Sequence, residues 1–495
     1  VMYGEEKSDS LIVAANLANN PQGAESVERR SGAKGNAEQP HMRRTQSRES
    51  MSQRLSRVRE AAKQRKKERF TALFHLLTAE ALENAFLSLS RKAAAGVDGV
   101  RWKDYAENLK VNIADLHRRL HQGSYRAQPG RRHYIPKADG KQRPLGIASL
   151  EDKIVQYALV KILNAVYEND FMGFSYGFRP GRSQHNALDA LATGLVRTNV
   201  NWVLDADISQ FFDKVSHEWL IRFIEHRIGD QRVIRLIRKW LTAGTSEEGE
   251  WRASEEGTPQ GAVISPLLAN IYLHYVFDLW AHQWRRRHAT GNVVMVRYAD
   301  DIVIGFDKRI DAQCFRIAMQ RRLKEFGLTV HPKKTRLMEF GRFAAENRAS
   351  RGKGKPETFN FLGFTHISGK DRSGRFMLIR KTRRDRMTAT LKAIKDGLRK
   401  RWHYSIPEQG KWLRRVVQGY LNYHSVPGNY PMMRKFRIYV TDLWRRALRR
   451  RSQQDDTTWT KANRLAAVWL PKVRVLHPWP VERFTARHPR QEPGA

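Results

Sequence analysis

Two hydrophobic periods divide this chain between them. In LEDKIVQYALVKILNAVY, Ile154, Ala158, Leu159, Ile162, Leu163 and Val166 recur every three or four positions, which predicts one apolar face of a helix. The pattern is also helical in RFTALFHLLTAEALENAFLSLSRK, HEWLIRFIEHRI and PLLANIYLHYVFDLWAHQW. Between these segments NWVLDADI and VVMVRYADDIVIGF read as strands, the second as a hairpin. RRHYIPKADGKQRPLGI predicts two short strands joined at Asp139 and Gly140, a dipeptide suited to a hairpin turn. A strand, then helices, then a hairpin predict an α+β architecture with the helices on one face of the sheet.

After FNFLGF the chain reads as helical and very basic. In FRIYVTDLWRRALRRR, Phe436, Tyr439, Val440, Leu443, Trp444, Ala447 and Leu448 follow helical spacing, setting Arg437, Arg445, Arg446, Arg449 and Arg450 on the other side. Five segments follow from these patterns: a polar tail over 1–55, helices and the Gly-punctuated loop AAAGVDGV over 56–125, the mixed region 126–375, the basic helices 376–455, and a short Pro- and Arg-rich element over 456–495. The tail has too few aromatic residues to bury the area that folding requires.

Charge changes this picture. Among 495 residues, 90 Lys and Arg face 50 acids, a formal net charge of +40, whose field favours a polyanionic partner. The alternatives are a ribosomal-type protein or a binder of anionic membranes, but 13 Trp and 41% hydrophobic residues imply large cores and no amphipathic membrane helix stands out, so nucleic acid is the better expectation. No apolar run is long enough to cross a membrane and no signal segment opens the sequence, which predicts a soluble cytoplasmic protein without a membrane partner. The single cysteine, Cys314, excludes an internal disulfide and reads as a buried thiol.

The candidate chemistry lies where carboxylates break apolar runs. Asp300 and Asp301 sit side by side in the hairpin, where unpaired charges would repel and would be costly to desolvate. A cation resolves this, and oxygen donors without nearby His or Cys predict Mg²⁺ or Mn²⁺. In WVLDADISQFFD strand alternation puts Asp205 and Asp207 on one face, with Asp207 at the strand end. Three carboxylates on two strands suit a pair of metal ions and nucleotidyl transfer. Asp213 reads as a turn or helix cap, and Asp205 is open to either reading.

YADD beside DADISQFFD, GTPQGAVISPLLANIYL and FNFLGF, in that family's order, resembles the reverse transcriptase domain of group II intron-encoded proteins from about residue 65 onward. The resemblance implies a right-hand polymerase with fingers and palm, and an α-helical thumb called domain X in maturases. It implies that Asp207, Asp300 and Asp301 are the catalytic, metal-binding triad for two Mg²⁺ ions, and that Phe212 is the gate excluding a 2′-hydroxyl. Lys137 and Arg143 match the residues that grip the incoming triphosphate, a task suited to a point charge and a bidentate guanidinium. Gln260 matches a residue near the nucleotide, with Gly257 and Gly261 allowing close backbone approach. Lys334 matches either a proton donor to pyrophosphate or a phosphate contact. Phe361, Leu362 and Gly363 match the primer grip, and Arg179 and Arg182 a template-contacting segment. AAAGVDGV resembles the N-terminal extension over the template-primer.

The same resemblance implies a splicing maturase that binds its group II intron RNA and copies it into DNA from a primer at a DNA target, consuming dNTPs. A monomer suffices for that, and the protein would be nucleoid-associated when engaged on target DNA. The absence of cysteine pairs departs from members with an HNH endonuclease, so priming from a nascent strand is expected. Two alternatives are an RNA-binding splicing factor with an unused polymerase site and a reverse transcriptase of the retron or defence type.

Overall fold

The computed structural model describes residues 50–136, 142–247, 249–451 and 457–487. Helices α1 (Met51–Gln64), α2 (Ala79–Ser88), α3 (Trp102–Glu107) and α4 (Leu109–Gln122) lead to the antiparallel strands β1 (Gly130–Pro136) and β2 (Gln142–Ile147). The expected helix across 69–92 starts only at Ala79. Ahead of it the amides of Leu73 and Phe74 donate to the Asp230 carboxylate, 2.9 and 2.8 Å away, a tertiary cap that helical periodicity cannot reveal. The AAAGVDGV loop is held from below, with Arg131 donating to the Ala95 carbonyl and the Lys153 ammonium 2.7 Å from that of Ala94.

Then come α5 (Leu150–Tyr167), α6 (Gln184–Arg197), β3 (Trp202–Asp207), α7 (His217–Glu225), α8 (Gln231–Thr242) and the short pair β4 (Thr245–Glu247) and β5 (Glu250–Arg252). Helix α9 (Ser265–Leu273) passes through a π-helical segment, His274–Asp278, into α10 (Leu279–His288). The six residues read as the apolar face of α5 are all buried.

The central sheet has the order β6-β7-β3-β8, with β6 (Val293–Tyr298), β7 (Asp301–Phe306) and β8 (Arg336–Glu339) all antiparallel to their neighbours. Its two faces belong to different cores. Val203, Val294, Val296 and Val303 pack with α6, whereas Leu204, Met295, Ile302 and Ile304 join the core that holds α5, α9 and α11 (Arg309–Glu325). Helices therefore cover both faces, not one. That is why these strands read as unbroken apolar runs: a sheet buried on both sides needs no polar face. Cys314, expected to be buried, is exposed on α11.

Beyond α12 (Ala344–Ala349), strands β9 (Phe359–Phe361), β10 (Phe364–Lys370) and β11 (Phe376–Thr382) form a separate antiparallel sheet. A helical bundle follows: α13 (Arg384–Arg399), α14 (Ile406–His424), α15 (Tyr430–Arg449) and α16 (Trp459–Trp469), around Ile394, Leu413, Val417, Phe436, Val440 and Trp444. Tyr439, read as part of the apolar face of α15, is 40% exposed. The last segment is not a single appended element. Ala466 and Leu470 belong to the bundle core, whereas Phe484 on α17 (Pro480–Arg487) packs into the cluster over α6.

Candidate active site

The site grows from the register of three strands. Asp207 on β3 lies directly opposite Asp301 on β7, which lies opposite Tyr298 on β6. Facing residues in an antiparallel pair are about 4.5–5.5 Å apart at Cα, so the strand ends present a row of side chains. Asp205, two residues before Asp207, shares that face. Tyr298 pairs with Asp301, leaving Ala299 and Asp300 as a two-residue turn. Ala299 has φ of +56°, a left-handed conformation normally left to Gly at the first central position of such a turn.

A buried arginine stands behind the turn. Arg297 is fully buried on the opposite face of β6, making a two-point ion pair with the equally buried Asp278, 2.7 and 2.5 Å. It also donates to the Ala299 carbonyl at 3.0 Å, to Asn270 at 3.1 Å and to the Ser175 hydroxyl at 2.7 Å. The π-helical turn ends at Asp278, and such single-turn bulges recur at functional sites. Gly177 packs so closely that a Cβ there would fall 2.3 Å from the Ala299 nitrogen. Arg297, Asp278, Asn270 and Gly177 were missed in the sequence. The available signal was a lone arginine in the apolar run VVMVRY, as anomalous as the aspartates beside it.

The carboxylates strain against one another. Desolvation in the cleft, then the charges of Asp300, Asp207 and Asp205, push Asp301 up to about 7, even though much of its surface meets solvent. Desolvation also raises Asp300, opposed by Arg143, and lifts Asp205 to about 6, opposed by Arg336. The Lys334 ammonium sits 2.7 Å from Asp207. Its loop is clipped to the strand end by the His331 amide, which donates to the Asp207 carbonyl at 2.7 Å. Among the described residues no three His, Cys, Asp or Glu side chains are already close enough together to ligate one metal ion. The donor set nonetheless fits a hard divalent cation: carboxylate oxygens at neighbouring strand ends, with those of Asp300 and Asp301 raised in proton affinity, and an exposed ammonium beside Asp207. Asp207, Asp300 and Asp301 would hold it, with Asp205 near enough to tune them.

Of the other candidates, Lys334 and Arg143 are tied to this row by their charges. Phe212 is partly buried and meets Phe211 edge-on at 5.4 Å, while Phe211 is the core residue of the pair. The GTPQG loop wedges against it: the Thr258 amide donates to the Phe212 carbonyl at 2.7 Å, and a Cβ at Gly257 would come within 2.8 Å of that oxygen. Gln260 bonds Asp213 at 2.6 Å, so Asp213 pairs with a side chain where a capping role was expected. Arg143 is exposed on β2 with its charge felt at Asp300. Lys137 lies outside the described residues. Phe361, Leu362 and Gly363 form a tight β9–β10 turn, with φ of +45° at Leu362 and +81° at Gly363.

Four arginines do not stand where they were expected. Arg179 is buried, bound to Glu168 at 2.9 Å and to the Met172 and Ser175 carbonyls at 2.8 Å, so its guanidinium faces inward. Arg182 turns to the Gly173 and Ser175 carbonyls and lies over the Tyr176 ring. Arg437 donates to the Ala466 and Pro471 carbonyls, and Arg445 pairs with Asp442 and lies over Trp459. Both are covered because α16 packs on the side of α15 that helical spacing had left to solvent. Arg446, Arg449 and Arg450 are exposed as expected.

Residues 135–366, a little under half of the chain, match the family model described as "Reverse transcriptase (RNA-dependent DNA polymerase)". Protein YkfC of Escherichia coli is 43% identical over 41% of this chain and 54% of its own length. The group II intron-encoded protein LtrA of Lactococcus lactis is 37% identical over 44% of this chain and 37% of its own. A putative COX1/OXI3 intron 1 protein of Saccharomyces cerevisiae is 26% identical over 66% of this chain and 46% of its own. The chain thus spans about half the length, or less, of these curated relatives. These relatives support the resemblance read from the motifs.

Proposed function

We propose that this chain, whose residues 135–366 form a reverse transcriptase domain similar to that of group II intron-encoded proteins, is an RNA-directed DNA polymerase and intron maturase. In this reading the central sheet is the palm of a right-hand polymerase, β1 and β2 belong to the fingers, and α13–α16 are the thumb. The observation that carries the polymerase reading is the row formed by Asp207, Asp300 and Asp301 at paired strand ends. Two Mg²⁺ ions, or Mn²⁺, would activate the primer hydroxyl and neutralise the departing pyrophosphate.

The chain's own residues supply the rest. Phe212 walls the sugar site, and Arg143, with Lys137, would grip the triphosphate. Lys334, at 2.7 Å from Asp207, exchanges that partner for a substrate phosphate when the site is loaded. The Leu362–Gly363 turn would present its backbone to the primer end. Exposed Arg446, Arg449 and Arg450 contribute to intron RNA binding, and the RNA itself performs splicing. Copying from a primer at a DNA target then inserts the intron, the reaction expected of retrohoming.

Primer extension on an RNA template with dNTPs and Mg²⁺ tests the polymerase half. A competent wild-type preparation that stimulates splicing yet yields no product would sink it. Splicing of the RNA that co-purifies with the protein tests the maturase half.

A further inference from the structure

Near the C-terminal end of α13 the molecule has a small cavity, about 110 Å³, between α13 and α15. Leu398, Leu443 and Ala447 line it with apolar surface, and half-buried Trp402 supplies an aromatic wall. Lys395, Arg399, Arg446 and Arg450 also line it, and all four are exposed. Arg446 is held by Asp442 at 2.7 Å, while Lys395, Arg399 and Arg450 make no ion pair among the described residues. We propose that this cavity seats one unpaired nucleobase of a single-stranded RNA, whose flanking phosphates meet the four cations. The proposal rests on the reading of the bundle as an RNA-binding thumb and adds to it the form of RNA recognised.

The chemistry selects this occupant. A phosphate alone gains nothing from the leucines and the indole, and an apolar side chain gains nothing from four positive charges. A nucleobase joined to two phosphates uses both. Its ring can stack on Trp402, an interaction that tolerates any base because every base has a π-face. The bases of a duplex are already stacked and cannot enter.

A second feature shows how such a strand would arrive. Arg384, Thr388, Lys392, Lys395 and Arg399 recur at spacings of four, four, three and four, so they share one face of α13, and all are exposed. At about 1.5 Å per residue this track runs roughly 22 Å along the helix. Its other end opens into a wide cleft of about 820 Å³ that reaches Asn360 and Thr365 beside the Leu362–Gly363 turn, with Asp385 the lone acid lining it. The track thus joins the proposed primer-grip cleft to the indole pocket on one helix face.

The test measures binding of the full chain to three probes at several salt concentrations: a short single-stranded RNA, its abasic counterpart with the same phosphates, and an RNA duplex. Trp402→Ala is expected to weaken the first by roughly ten-fold at an unchanged salt slope, and to leave the other two as they were. Trp402→Phe should retain most of the affinity. Ala447→Phe, which fills the cavity from α15, should reproduce the loss without removing the indole, and thermal melts confirm that each variant is folded. Crosslinks from 4-thiouridine RNA should map to 395–402 or 443–450. Equal losses for the abasic probe, no loss in either Trp402→Ala or Ala447→Phe, or tighter binding of an acidic peptide than of single-stranded RNA would overturn the proposal. Wild-type protein that binds no RNA at any salt would overturn the thumb reading itself, a separate result.

Discussion

Two tight hairpin turns border one apolar cluster, against which Tyr298 and Leu362 both pack, and they are held in opposite ways. The Ala299–Asp300 turn is supported within the sheet and its own helices: Arg297 donates to the Ala299 carbonyl and Asp278 fixes Arg297 from the π-helical segment. The Leu362–Gly363 turn is held from outside. The Tyr423 hydroxyl of α14 donates to the Leu362 carbonyl at 2.8 Å, and the Arg383 amide at the head of α13 donates to the Gly363 carbonyl at 3.1 Å. Each turn contains a non-glycine residue at positive φ, a strain worth about 1–3 kcal/mol that persists only where the surroundings enforce it. The clamp on the carboxylate turn therefore contains no residue of the helical bundle. The other turn takes two of its hydrogen bonds from the bundle.

The largest effect that can break this comparison is chemical. Asp207→Asn or Asp300→Asn should lower the primer-extension rate a thousand-fold or more, about 4 kcal/mol of transition-state stabilisation, with RNA affinity unchanged. A variant that loses synthesis and RNA binding together would mean that the row serves folding more than catalysis.

Next comes the support of that turn. Arg297→Met leaves Asp278 charged and unpaired in the core and should cost about 3–5 kcal/mol in denaturant unfolding. Arg297→Met combined with Asp278→Leu removes both charges and should recover most of that stability, but not DNA synthesis, because the Ala299 carbonyl has lost its donor. Full recovery of synthesis in the double variant would show that the turn needs no clamp. Tyr423→Phe is a milder change, about 1 kcal/mol for one hydrogen bond. It should raise KM for primer-template several-fold and leave kcat nearly unchanged, since it loosens only the turn held by the bundle. A matching fall in kcat would show that the two turns are coupled.

The difference between the turns also explains what the sequence could disclose. The carboxylates were legible because period-two alternation and a two-residue turn are local rules, and charges in apolar runs violate them visibly. The FLGF turn, which no charge marks, was read only from the resemblance of its motif. The clamp was not legible, because Arg297 reaches Asp278 nineteen positions earlier through a π-helical bend that no periodicity announces. Arginine type was equally silent about direction. Arg179 and Arg182 look like phosphate ligands in SYGFRPGRS, yet neighbouring carbonyls draw them inward. Arg437 and Arg445 lie opposite the apolar face of α15 as spacing requires, but α16 covers that side too.

The smallest expected effect sharpens the comparison from the side of stability. Asp301 has its affinity for a proton raised to about 7 by desolvation and by three neighbouring carboxylates, whereas in the unfolded chain it titrates near 4. The folded protein thus retains a proton that the unfolded chain releases, so this contribution is fully present below about pH 4 and is lost as pH rises through 7. In chelator, wild-type melts should therefore show a penalty at pH 7.5 relative to pH 5.5. Asp301→Asn should remove part of it, a gain of roughly 1 kcal/mol once solvent screening of this open carboxylate is allowed for. Adding Mg²⁺ should reverse the order, stabilising the wild type and not the variant, because a bound cation relieves the repulsion that the amide has already removed. If Asp301→Asn leaves the pH dependence in chelator unchanged, the carboxylates are not in conflict. The strain at this turn would then reside in the backbone at Ala299, as it does at Leu362 in the other.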